Sequence, residues 1–144
     1  IGDLARLIDG RILCAEEHAE ALVEDIVVGA MSQEHALSVF RKRSNFCVVT
    51  GGDRSDMQLA AMEAGARCII LSGNLYPSGV VLGRADELGV PIILVATDTF
   101  TTAERAEMII RSARTHEESK IGRLRELVDR CIDLPRLYSL ADIR

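Results

Sequence analysis

Apolar positions in this chain fall into two alternating patterns. Short, nearly unbroken apolar runs occupy residues 11–14, 25–29 and 46–50, and two more close the stretches MEAGARCIIL and ADELGVPIILV. Runs of this length bounded by glycine or polar residues predict strands, and the near-continuous run at 25–29 reads as a strand buried on both faces. Between them lie segments of helical period. A short helix over residues 3–8 is broken by Gly10, and Ser32 can cap a helix reaching about Arg43, with Ala36, Leu37, Val39 and Phe40 apolar. Gly65 and Gly89 stand in matching places before the fourth and fifth strands, where the left-handed end of a helix is cheapest for glycine. A long helix is predicted over residues 102–114. A further stripe, Ile121, Leu124, Leu127, Val128 and Cys131, predicts a helix over 120–132, and Asp133 with Pro135 starts a terminal one carrying Leu134, Leu137, Leu140 and Ile143.

Alternating strands and helices predict an α/β fold of three layers: a mostly parallel five-stranded sheet with helices on both faces. The boundaries expected are an α/β domain over residues 1–116 and a C-terminal helical extension over 117–144, packing on that domain or on a partner. The opening Ile1, in a region that already reads as structured, suggests a segment of a longer protein.

Composition narrows the function. Hydrophobic residues make up 48% and charged residues 27%, which describes a chain able to build a core and needing no membrane. Seventeen basic against 22 acidic residues give a net charge of −5, the wrong sign for a nucleic-acid surface, and two lysines cannot form a polybasic membrane patch. Cys14, Cys47, Cys68 and Cys131 are far apart, form no CxxC pair and mostly lie in apolar runs, so reduced buried thiols and a cytoplasmic home are expected. No metal site or cofactor is expected.

In a parallel sheet, ligands bind beyond the carboxyl ends of the strands. Three turns fall there. The first is Thr50, Gly51, Gly52, Asp53 and Arg54, followed by SDMQ, in which Ser55 and Gln58 match a capping box. That leaves Asp53 and Arg54 free to face a ligand, or each other. The second holds Ser72, Gly73 and Asn74, with Gly73 or Asn74 suited to positive φ and Pro77 setting up the next helix. The third runs through Asp98, Thr99, Thr101 and Thr102, with Thr101 and Glu104 as a second capping box and Asp98 as the counter-charge for Arg54. Amides, hydroxyls and one cation suit a small anionic or nucleotide-like ligand. Catalysis is not expected: GxxxxGK, GxGxxG, HExxH and GxSxG are absent from the sequence.

The motifs IVVGAMS at 26–32, TGGDRSDMQLAAME at 50–63, LSGNLYP at 71–77 and DTFTTAE at 98–104 resemble the DRTGG domain, in order and over most of the chain, roughly residues 25–114. At LSGN this chain has Ser72 and Asn74 where that family commonly has threonine and a second glycine. The resemblance implies the fold of the N-terminal domain of HPr kinase/phosphorylase. It also implies a regulatory and subunit-contact role, with a homodimer as the expected assembly. Such domains occur within long phosphate acetyltransferases behind a P-loop domain resembling dethiobiotin synthetase, so an upstream P-loop domain in the same parent chain is expected. Others lie between CBS domains in regulated pyrophosphatases. Alternatives are an accessory part of a phosphate acetyltransferase-type enzyme and a purely structural dimerisation scaffold.

Overall fold

The computed structural model describes residues 1–115, and the helices expected over 120–132 and from Pro135 onward lie outside them. The chain divides into two compact units, Ile1–Ile110 and Arg111–Arg144. In chain order the elements are α1 (Gly2–Leu7), β1 (Arg11–Cys14), a short 3₁₀ turn (Glu16–His18), β2 (Asp25–Val28), α2 (Gln33–Phe40), β3 (Phe46–Gly51), α3 (Ser55–Glu63), β4 (Cys68–Ser72), α4 (Gly79–Leu88), β5 (Ile92–Leu94) and α5 (Thr99–Thr115). The five strands form one mixed sheet in the order β1-β5-β4-β3-β2. The β2–β3, β3–β4 and β4–β5 pairs are parallel, and β1 lies antiparallel on β5.

Alternation along the central strands splits the first unit's core in two. Phe46, Val48, Ile69, Leu71, Ile92 and Leu94 face α2, α3 and α4 through Ala36, Phe40, Met57, Ala60, Val81 and Ala85. Their strand neighbours Cys47, Val49, Cys68, Ile70, Ile93 and Val95 face α1 and α5 through Leu4, Ile8, Ala106 and Ile110. Helices therefore cover both faces of the sheet. Ile69, Ile70 and Leu71 are fully buried, and each such side chain contributes about 1.5–3 kcal/mol of transfer free energy.

Several sequence expectations change. The run at 25–29 belongs to an edge strand: only Val27 of β2 is buried and Val28 is exposed. Strand order decides this, and apolar content does not. Helix α2 stops at Phe40, and Ser32 stands at its N-cap without a side-chain hydrogen bond. Helix α5 opens at Thr99, three residues before the predicted start. The helix-ending glycines behave as expected, with φ of +83° at Gly65 and +65° at Gly89.

Candidate functional site

Parallel pairing brings the carboxyl ends of β3, β4 and β5 to one rim, with Gly51 opposite Ser72 and Leu71 opposite Leu94. Two hydroxyls meet there. Ser72 Oγ lies 2.7 Å from Thr99 Oγ1 and donates to the Thr50 carbonyl at 3.3 Å, and Thr50 Oγ1 donates to the Gly29 carbonyl at 3.2 Å. Beside them Thr102 Oγ1 donates to the Asp98 carbonyl at 2.7 Å and stands 2.8 Å from Thr97 Oγ1. The second turn is tied down by main chain: Gly73 N donates to Thr97 O and Asn74 N to Val95 O, both at 2.8 Å. Gly73 and Asn74 both take positive φ, +71° and +55°. Those two amides are committed within the protein and are not donors for an anion. Helix α4 is capped by Ser78, whose hydroxyl accepts from Val81 N, so Pro77 precedes the cap and stands outside the helix start.

The glycine pair serves the protein's own packing. A Cβ at Gly52 would stand 1.7 Å from the Leu75 carbonyl oxygen, so only glycine allows the β4–α4 segment to cross the β3–α3 turn at this height. A Cβ at Gly51 would meet the Asp53 carboxylate instead. Below the turn, Gln58 is fully buried and its Nε2 donates to the Gly51 carbonyl at 2.8 Å. The capping box expected of Ser55 and Gln58 does not form. The helix begins at Ser55 with Arg54 at the N-cap and no side-chain cap, which leaves Gln58 to brace the turn. The second expected box is replaced as well: Asp98 accepts from the Thr101 amide at 3.0 Å and from its hydroxyl at 2.7 Å.

Arg54 does not meet Asp98. Its guanidinium bonds both oxygens of Asp56 at 3.1 Å and the Met31 carbonyl at 3.0 Å, on the β2 side of β3. Asp98 follows β5, with β4 between. A carboxylate two residues away reaches the guanidinium at no cost in chain geometry, so Asp56 takes it. That hydrogen bond holds the Asp56 carboxyl below its ordinary range and the Arg54 guanidinium more firmly protonated. The Thr101 hydroxyl, then the Thr101 amide, lowers Asp98. Ser72, Gly73, Thr99 and Thr102 thus share one part of the rim, while the Thr50 hydroxyl and Arg54 turn toward β2. Leu75 escaped the sequence reading, which gave Gln58 only a capping role. The clue to Gln58 was its place among MQLAAM, a stretch of small and apolar residues in which a glutamine had to be buried with them.

Two depressions lie elsewhere. One of about 480 Å³ is lined by Ile1, Arg6, Ile12, Glu16 and Leu22. Another, of about 230 Å³, is lined by His18, Met62, Arg67, Leu88 and Val90, where α3 and α4 end. Among the described residues no group of three His, Cys, Asp or Glu side chains is placed to hold a metal ion. No helix among them is long and apolar enough to cross a membrane. Cys14, Cys47 and Cys68 are free thiols, and burial pushes the Cys47 thiol well above its usual range.

Comparison with known proteins gives a consistent picture. The DRTGG domain family matches residues 3–109. The uncharacterized protein YtoI of Bacillus subtilis strain 168 is 30% identical over 101 residues, 70% of this chain and 22% of that protein. The phosphate acetyltransferases of Pseudomonas aeruginosa PAO1 and Pseudomonas putida KT2440 are 28% and 25% identical, over 91% and 94% of this chain and 20% of each enzyme. The chain spans about one-fifth of the length of these curated relatives. Among solved structures, one neighbour has a TM-score of 0.63 at 21% identity, covering 74% of this chain and 45% of that one. It is the CBS and DRTGG domains of the regulatory region of Clostridium perfringens pyrophosphatase, complexed with its activator diadenosine tetraphosphate. At that identity the likeness establishes the fold.

Proposed function

The chain belongs to the DRTGG domain family, and from that premise we propose that it is a non-catalytic regulatory domain of a larger protein. It senses a small anionic, nucleotide-like ligand at the rim beside the β3–α3 turn. The observation that carries this reading is the meeting of the Ser72 and Thr99 hydroxyls beside the Thr50 carbonyl at the carboxyl ends of neighbouring parallel strands, where α/β sheets hold their ligands. Arg54 stands beside that rim, its charge shared with Asp56 and the Met31 carbonyl, and an anion binds there by competing with the Asp56 carboxylate. The pyrophosphatase neighbour lends support, since its regulatory region takes a polyphosphate nucleotide as activator. A cytoplasmic setting, an upstream P-loop domain and the likeness to the HPr kinase/phosphorylase N-terminal domain belong to the same proposal. So does an accessory place in a phosphate acetyltransferase-type enzyme, which two relatives suggest.

The test is calorimetric titration of the 144-residue chain with diadenosine tetraphosphate, ATP, acetyl phosphate and coenzyme A. Binding of at least one, weakened in Arg54→Ala, is expected. Silence toward all four overturns the ligand half. A second reading, subunit coupling through a homodimer, draws on exposed apolar side chains around the β4–α4 and β5–α5 connections: Tyr76 at 57%, Val80 at 76% and Phe100 at 71%. Sedimentation equilibrium at high micromolar concentration tests it, and a monomer there would sink it.

A further inference from the structure

One polar atom at the rim is unpaired. Gln58 is fully buried, its Nε2 bonds the Gly51 carbonyl, and its Oε1 has no hydrogen-bond partner. Turning the amide over does not cure this. Gly51 O is an acceptor and demands the nitrogen, so the oxygen is left wanting a donor. Buried polar atoms in folded proteins are paired with few exceptions, and an exception beside a candidate site points to a group that arrives from outside. The amide sits under the Gly51/Gly52 turn, at the start of a nine-residue helix with no side-chain cap. The Leu75 carbonyl closes over the next residue, Gly52.

We propose that Gln58 reads the base of an adenine nucleotide. Oε1 accepts from the exocyclic amine, and the second N–H of Nε2, which Gly51 does not use, donates to the ring N7. This is the paired contact by which amide side chains recognise adenine. The phosphates lie beside Arg54, which exchanges part of its pairing with Asp56 for them. The assignment rests on the nucleotide reading of the rim and adds the base to it. Entry of the base requires residues 75–77 to lift. Gly73 and Asn74, consecutive and both in the left-handed region, form the hinge, since their amides stay anchored to Thr97 and Val95 while the chain beyond moves. Tyr76, whose ring the Arg11 guanidinium covers at 5.5 Å, travels with that segment and is the stacking surface for the base.

Calorimetry with ATP and ITP on the full chain decides it. The two share ribose and phosphates, but ITP carries an acceptor oxygen in place of the amine. Wild type should bind ATP roughly tenfold or more tightly than ITP, because a buried acceptor facing an acceptor loses its bond. Gln58→Met should bind both at the ITP level, with its fold checked by circular dichroism. If that variant does not fold, 7-deaza-ATP on wild type replaces it and should bind several-fold more weakly than ATP. Equal affinity of wild type for ATP and ITP, or a preference for ITP, overturns the Gln58 assignment and leaves the rim reading standing. Binding of neither overturns both.

Discussion

Gly52→Ala tests the packing of the rim most directly. The new Cβ would lie 1.7 Å from the Leu75 carbonyl oxygen, 2.4 Å from its carbon and 2.9 Å from Leu75 Cβ. Carbon and oxygen do not approach within 3 Å without a bond, so the turn and the β4–α4 segment must separate by more than an ångström. The struck atoms are backbone, and Gly73 and Asn74 pin that backbone just upstream through their bonds to Thr97 and Val95. Overpacking costs about 1–3 kcal/mol where side chains can adjust, and here the cost should sit at the upper end, about 3 kcal/mol. For a unit of this size that lowers Tm by roughly 10 °C or more. Two companions calibrate the result. Gly51→Ala strikes only the Asp53 carboxylate, the mobile end of a side chain, and should cost under about 1 kcal/mol. Gly83→Ala, inside α4 with nothing within 4 Å of its Cβ, should stabilise by about 0.5–1 kcal/mol. The assay is urea denaturation followed by circular dichroism, read as midpoint at constant slope. A Gly52→Ala protein within about 0.5 kcal/mol of wild type refutes the claim that the glycine is there for Leu75.

Ser72→Ala removes the donor to Thr50 O and the partner of Thr99 Oγ1 at a buried position, and should cost about 1 kcal/mol in the same denaturation assay. Arg54→Ala should cost under about 1 kcal/mol at neutral pH, because the two side chains of its pair with Asp56 are 35% and 44% exposed and screened. That difference should also depend on pH. Asp56 is depressed when folded, so its contribution is present above the ordinary carboxylate value of 3.8 and disappears as pH falls through the lower folded value. Wild type and Arg54→Ala should therefore converge in acid, and a gap that persists there contradicts the ion pair. Among the described thiols, Cys14 should react with a disulfide reagent in native protein, while Cys47 and Cys68, both fully buried, should react only on unfolding. Their prompt labelling would contradict the two-sided core.

The central sheet was legible because its signal is local. Residues 46–50 and the runs ending MEAGARCIIL and ADELGVPIILV are apolar on both faces, and two faces of helices are needed to bury them. The helix-ending glycines were legible because φ near +65° to +83° is cheap only without a Cβ. The edge position of β2 was hidden, since Ile26, Val27 and Val28 look the same in sequence whether one neighbour or two flank them. So was the antiparallel seating of β1, which no feature of RILC encodes. At the site, both capping boxes matched in spelling and failed in space. Gln58 was drawn away by the Gly51 carbonyl, and Thr101 was caught by Asp98. Arg54 and Asp98 carry complementary charge, but pairing them required the order of strands, and β4 stands between.

What a rim like this can sense follows from which of its groups are already spoken for. Ser72, Thr99, Thr97 and Thr102 bond one another or nearby carbonyls, and the Gly73 and Asn74 amides bond Thr97 and Val95. Those contacts exist before any ligand comes, so a ligand that touches them only replaces one bond with another. A ligand shifts an equilibrium only by the difference in its affinity for two states. Here the difference must come from groups whose bonding changes: Gln58 Oε1, unpaired while the Leu75 carbonyl lies on Gly52, and the segment of residues 75–77 that lies over the turn. Lifting that segment gives up its contact with Gly52 and the Arg11–Tyr76 stacking, and gains a partner for a buried oxygen. Moving that pinned backbone off the turn costs more than the new bond of about 1 kcal/mol returns. The remainder has to come from the ligand's other contacts, so it is the ligand's affinity that decides the position of Tyr76.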